Sequence, residues 1–158
     1  MLDLQRALPQ RSRAVVAAEL HVTLAYLGDC DAGGVVEARR WLAQHAVPRA
    51  APRLAAACLL GAGRALAFDL SAVEGLARWM EAYHASRVPS ADLEAPAFAA
   101  RPHLTVAWLR QRSRSDDQRG AVLSRLSAWT GLAVECGQPA LWCRAAAPDP
   151  RRYCLIED

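Results

Sequence analysis

Lysine is absent: all 19 basic residues of this 158-residue chain are arginine, and the formal net charge is only +3. So small a surplus does not imply wholesale binding to nucleic acid. A lysine-free, alanine-rich composition is what GC-rich coding produces, so the arginine bias carries little functional meaning. Long apolar runs are missing too. Apolar residues make up 53% of the chain, yet no stretch approaches the roughly 20 needed to cross a bilayer. Asp3, Arg6, Arg11 and Arg13 interrupt the N-terminal apolar residues, which excludes the continuous core of a secretory signal. A soluble, cytoplasmic protein is expected, without membrane contact or an obligate protein partner. The cysteines Cys30, Cys58, Cys136, Cys143 and Cys154 are odd in number and contain no C-x-x-C pair. They suggest neither a disulfide framework nor a zinc site, and reduced, mostly buried thiols are expected. A chain of this length falls in the range of one domain, so residues 1–158 are expected to share a single core.

What the chain does contain is a repeat. His21-Val22-Thr23-Leu24-Ala25-Tyr26-Leu27 returns as His103-Leu104-Thr105-Val106-Ala107-Trp108-Leu109. Each copy alternates polar with apolar residues. If both are strands, His21 and Thr23 share one face, as do His103 and Thr105, with the apolar residues on the other. A strand that only packs gains nothing from imidazole and hydroxyl on its repeated face, because burying polar groups without partners is unfavourable. Brought together, the two copies would make a pocket of two imidazoles and two hydroxyls.

Around the motifs the pattern is mixed α and β. Asp29 to Gly34 reads as a turn and Val35 to Ala46 as a helix stopped by Pro48. Leu54 to Leu60 and Ala65 to Leu70 read as strands of a hairpin turned by Gly61-Ala62-Gly63-Arg64. Ser71-Ala72-Val73-Glu74 matches a capping box for a helix to about Arg87, with Val73, Leu76, Ala77, Met80 and Tyr83 on its buried face. Pro89 to Pro102 reads as a long loop into the second motif. Ser115-Asp116-Asp117-Gln118 opens another helix, with Val122, Leu126 and Trp129 on one face. Strands are expected near Leu132 to Cys136, Ala140 to Arg144 and Arg152 to Glu157, and Arg11 to Ala18 has helical character.

The paired motifs resemble those of the 2H phosphoesterases, and within them the RNA 2′,3′-cyclic phosphodiesterases also known as 2′-5′ RNA ligases. Leu27-Gly28-Asp29 after the first motif, Arg101-Pro102 before the second, and the order of elements from Arg64 to Leu70 onward extend the similarity over about residues 20 to 157. The resemblance implies an α+β fold of two pseudo-symmetric lobes of antiparallel sheet, with helices packed outside and the active-site cleft between the lobes. Members of that family usually place a strand and a helix before the first motif. Only 20 residues precede His21, so the N-terminal strand is expected to be shortened or missing, its edge covered by the N-terminal tail or a second chain.

The chemistry follows from the residue types. Opening a 2′,3′-cyclic phosphate needs a base for water, an acid for the departing ribose oxygen, and donors for the phosphoryl oxygens. His21 and His103 are the candidate catalytic pair, with His21 assigned as acid and His103 as base; their near-symmetry leaves the roles exchangeable. Thr23 and Thr105 are the candidate phosphate-binding hydroxyls, with Arg101 as a further phosphate contact. No metal or cofactor is called for. The resemblance implies an RNA-end substrate, a 2′-phosphomonoester product and ligation as the reverse reaction. Two alternatives remain: a 2H phosphodiesterase acting on small cyclic nucleotides, ADP-ribose cyclic phosphate or signalling oligonucleotides, and a non-catalytic RNA-binding module. Tyr26 and Trp108 could stack on a base, but alternation assigns both more readily to the core. Arg110, Arg112, Arg114 and Arg119 form either an RNA-backbone contact or a solvated loop, and for Arg151 and Arg152 structural pairing is slightly favoured over an RNA contact. His45 and His84, towards helix C-termini, are expected to be structural or solvated.

Overall fold

The computed structural model describes residues 8, 12–61, 63–86, 100–109, 116–144 and 153–156. Among them a four-stranded antiparallel sheet has the order β1-β4-β3-β2, formed by β1 (Ser12–Ala14), β2 (Arg53–Leu60), β3 (Ala65–Ser71) and β4 (His103–Leu109). A separate two-stranded sheet pairs β5 (Trp142–Arg144) with β6 (Tyr153–Leu155). Three helices accompany them: α1 (Ala32–Gln44), α2 (Glu74–Ser86) and α3 (Asp116–Leu126). The mixed α+β class is therefore as expected.

β2 and β3 are the hairpin foreseen from their apolar runs. Gly61 (φ 56°) and Gly63 (φ 78°) occupy the left-handed region that their turn requires. The apolar residues Leu66, Phe68 and Leu70 of β3 join Leu104 and Val106 of β4 in one core with Leu76, Trp79, Met80 and Tyr83 of α2. Those four α2 residues recur at i, i+3, i+4 and i+7, which puts them on one stripe of the helix. Phe68, Leu66 and Ala67 have no exposed surface. Trp41 of α1 meets α2 edge-on, 4.7 Å from the rings of both Trp79 and Tyr83. His45 stacks on Trp41 at 4.1 Å and its Nδ1 lies 3.0 Å from the Trp41 carbonyl, the structural role expected of it.

Several local expectations are corrected. α1 begins at Ala32 because Asp31 caps it, its carboxylate accepting from the Gly34 amide at 2.8 Å. α2 begins at Glu74, since Ser71 remains in β3 and its hydroxyl donates to the Arg53 carbonyl at 3.4 Å, while Ala72 turns the chain at φ 58°. The first motif does not form a strand of its own; only Val22 makes a bridge, antiparallel to Leu104. Residues 12–14 are strand rather than helix, followed by a 3-10 turn at Ala17–Glu19. The reason lies in β4, whose edge would otherwise carry unpaired amides and carbonyls. β1 covers that edge, and the Val15 amide continues the pairing to the Val106 carbonyl at 2.9 Å.

The opposite edge, on β2, is covered at its Pro52–Leu54 end. The stretch expected as a strand near 132–136 gives an isolated bridge, Ala133 to Arg53, flanked by backbone bonds that join Leu132 and Gly131 to Leu54 and Val134 to Pro52. None of the five cysteines is buried, contrary to expectation: Cys58 and Cys154 are partly exposed, and Cys30, Cys136 and Cys143 are exposed. Cys143 and Cys154 sit on the small two-stranded sheet, outside the main core. Tyr26 is 76% exposed, so the core assignment fails for it, whereas Trp108 is half-buried in β4. Residues 89–99 of the proposed loop lie outside the described residues, as do Arg87, Ser115, the arginines at 110–114, and Arg151 and Arg152. No helix among the described residues is long and apolar enough to cross a membrane.

Truncating the centre of the core should show how far the fold depends on it. Phe68→Ala is expected to cost about 3–5 kcal/mol of unfolding free energy, read by urea denaturation. A loss below about 1 kcal/mol would mean that β3 does not pack as described.

Candidate functional site

Because Val22 and Leu104 pair in antiparallel fashion, His21 stands opposite Thr105 and Thr23 opposite His103 by count. Leu20, Val22 and Leu24 pack against the core, and Leu104 and Val106 are part of it. Alternation therefore turns His21, Thr23, His103 and Thr105 to the other face of the sheet. All four are partly exposed there. The structure thus brings the two motifs side by side through one bridge.

Both imidazoles are held in the same way. Nδ1 of His21 lies 2.7 Å from the Glu19 carbonyl, and Nδ1 of His103 lies 2.8 Å from the Arg101 carbonyl, in each case two residues upstream. A carbonyl oxygen can only accept, so each Nδ1 carries the hydrogen. Each Nε2 is then the atom that gains or loses a proton. Among the described residues, neither Nε2 nor either threonine hydroxyl is taken up by another protein group. The carbonyls are themselves anchored. Glu19 is 6% exposed and its carboxylate lies 3.9 Å from Arg13 of β1.

On the β4 side the anchor is an ion pair. Asp69 of β3 is the direct cross-strand partner of His103. Its carboxylate accepts both Nε and Nη2 of Arg101, each at 2.8 Å, in a two-pronged fork. Arg101, expected as a phosphate contact, thus spends two of its nitrogens on Asp69, while its carbonyl orients His103. The fork holds the Asp69 carboxyl below its usual range, opposed by burial and helped by Coulombic attraction to Arg101, a hydrogen bond from Cys58 and the charge of His103. The Cys58 thiol donates to Asp69 Oδ1 at 3.7 Å. Burial, more than the nearby carboxylate, raises its pKa.

His21 has a different neighbour. The ring of Tyr153 in β6 meets it edge-on, 5.3 Å between centroids and 79° between planes. Asp69 and Tyr153 are the two site neighbours that the sequence reading missed. Asp69 had a signal, being the one charge in the apolar run Ala65 to Leu70. Tyr153 had none, since its position depends on where the small sheet docks. The described residues hold no group of three or more His, Cys, Asp and Glu side chains placed to bind a metal ion. No protein-family model matches this chain, and neither a curated protein nor a solved structure matches it.

The Asp69–Arg101 fork has a pH signature. A carboxyl whose folded pKa lies below its unfolded value of about 4 adds stability above that value and loses it as pH falls through the folded pKa. Asp69→Asn should therefore be less stable than wild type at pH 7, by about 1 kcal/mol because Arg101 is half exposed. That difference should shrink as pH falls below about 4 and vanish once the folded carboxyl is itself protonated. Urea unfolding at a series of pH values reads both; a difference that persists unchanged into acid would remove the fork from the account.

Proposed function

We propose that the chain is a metal-independent phosphodiesterase of the 2H type. It hydrolyses an RNA terminal 2′,3′-cyclic phosphate to a 2′-phosphomonoester, with 2′-5′ ligation as the chemical reverse. In this reading the two motifs meet in a cleft between two lobes of the fold, where the substrate lies. The observation that carries it is the matched anchoring of two imidazoles in paired H-x-T segments, each with Nδ1 fixed to a carbonyl and Nε2 left to act.

In the proposed reaction, His103 Nε2 removes a proton from water as its oxygen attacks phosphorus. The bond from phosphorus to the ribose 3′ oxygen breaks, and His21 Nε2 donates the proton that this oxygen takes up. Thr23 and Thr105 donate to the non-bridging oxygens as charge redistributes. The two rings have different neighbours: His103 is the cross-strand partner of Asp69, and His21 meets the Tyr153 ring edge-on. Holding water and phosphate between two oriented imidazoles supplies the alignment that an in-line displacement needs.

A short RNA ending in a 2′,3′-cyclic phosphate, incubated in EDTA with wild type, His21→Ala and His103→Ala, tests this directly. Wild type should yield the 2′-phosphate and each variant should lose about 10²–10⁴-fold in turnover. The rate of the chemical step should be bell-shaped in pH. Full activity in either variant, or a flat profile from about pH 5 to 9, would overturn the two-histidine mechanism. If wild type is inert on RNA ends but opens small cyclic nucleotides, the chemistry stands and the RNA substrate falls.

A further inference from the structure

Cys143 and Cys154 are direct partners across the antiparallel pair β5–β6, flanked by Trp142 with Leu155 and Arg144 with Tyr153. The Ile156 amide donates to the Leu141 carbonyl at 2.9 Å, two positions along the same register. Because bonded and non-bonded pairs alternate, the cysteine pair belongs to the hydrogen-bonded class, whose Cα atoms lie about 5.5 Å apart. That separation falls within the range of disulfide-bonded cysteines. Their Cβ atoms, at about 5 Å, must approach by roughly 1 Å for the bond to close. A bond formed under such strain is easily reduced again, as suits a reversible link.

We propose that Cys143 and Cys154 are a redox pair that closes to a reversible disulfide and locks the hairpin holding Tyr153 against His21. Cys143 is exposed and Cys154 partly exposed, so the order of events follows from access. The Cys143 thiolate attacks a low-molecular-weight disulfide, forming a mixed disulfide and expelling one thiolate. The Cys154 thiolate then attacks the Cys143 sulfur, closing the protein bond and expelling the second. Two electrons pass from the protein thiols to the small disulfide, and the two protons end on the two small thiols released. Tyr153 is the neighbour of Cys154 on β6, and its ring sits 5.3 Å from that of His21. Fixing β6 to β5 therefore fixes the aromatic edge beside one imidazole. The effect on turnover rests on the phosphodiesterase reading above; bond formation does not.

The test is to equilibrate the full chain with oxidised or reduced glutathione and compare wild type with Cys143→Ser and Cys154→Ser. In oxidised wild type, peptide mapping after differential alkylation should show Cys143 and Cys154 joined, their linked peptides lighter by two hydrogens than the two reduced peptides together. Each variant should instead give a glutathione adduct at the remaining cysteine. The His21 ring-proton resonances, which sense the Tyr153 ring, should shift on oxidation of wild type and stay in place in the double variant Cys143→Ser/Cys154→Ser, which can form neither the bond nor an adduct on this sheet. This readout needs no activity, so it separates failure of the redox pair from failure of the proposed reaction. Adducts at both positions without a protein disulfide, or a bond between other cysteines, would overturn the pairing. A correctly paired disulfide with unmoved His21 resonances would overturn its link to the site.

Discussion

The bridge between Val22 and Leu104 is the interaction on which the candidate site depends. It is a single antiparallel contact, and it exists because β4 lies inside the sheet with both edges to satisfy. β3 takes one edge; β1, Val15 and Val22 take the other. Between Val15 and Val22 the chain leaves the edge in a 3-10 turn, which places the Glu19 carbonyl where His21 needs an acceptor. Pairing of the edge and orientation of the imidazole are thus outcomes of one chain path.

The two halves of the site reach the same end by different means. In each, a carbonyl two residues upstream fixes Nδ1 and leaves Nε2 as the working atom. On the first side the acceptor belongs to the buried Glu19, paired with Arg13. On the second it belongs to Arg101, tied down by Asp69 from the neighbouring strand. The apolar residues of the same segments enter a common core with α2. Hydrophobic burial therefore sets which face carries the polar four, and backbone hydrogen bonding sets how the rings point.

Much of this was legible because it is local. Alternation in the two motifs marks His21, Thr23, His103 and Thr105 as one set, and the apolar runs with a glycine turn mark the β2–β3 hairpin. What escaped depends on distant partners. Residues 12–14 have no strand pattern of their own and pair only because β4 offers an edge. Ser71 matches a capping box, yet β3 retains it, so the local signal lost to sheet pairing. Arg101 reads as a phosphate contact until Asp69 is seen across the strand, and Tyr153 beside His21 required the docking of a second sheet.

The central claim is that both histidines are held as Nδ1–H tautomers, each with Nε2 available for proton transfer. Nitrogen-15 NMR of the imidazole rings, at a pH where they are neutral, tests it without substrate. Both His21 and His103 should show a protonated Nδ1 and an unprotonated Nε2. If either ring carries its hydrogen on Nε2, the carbonyl anchoring is wrong and the matched acid–base pair built on it fails.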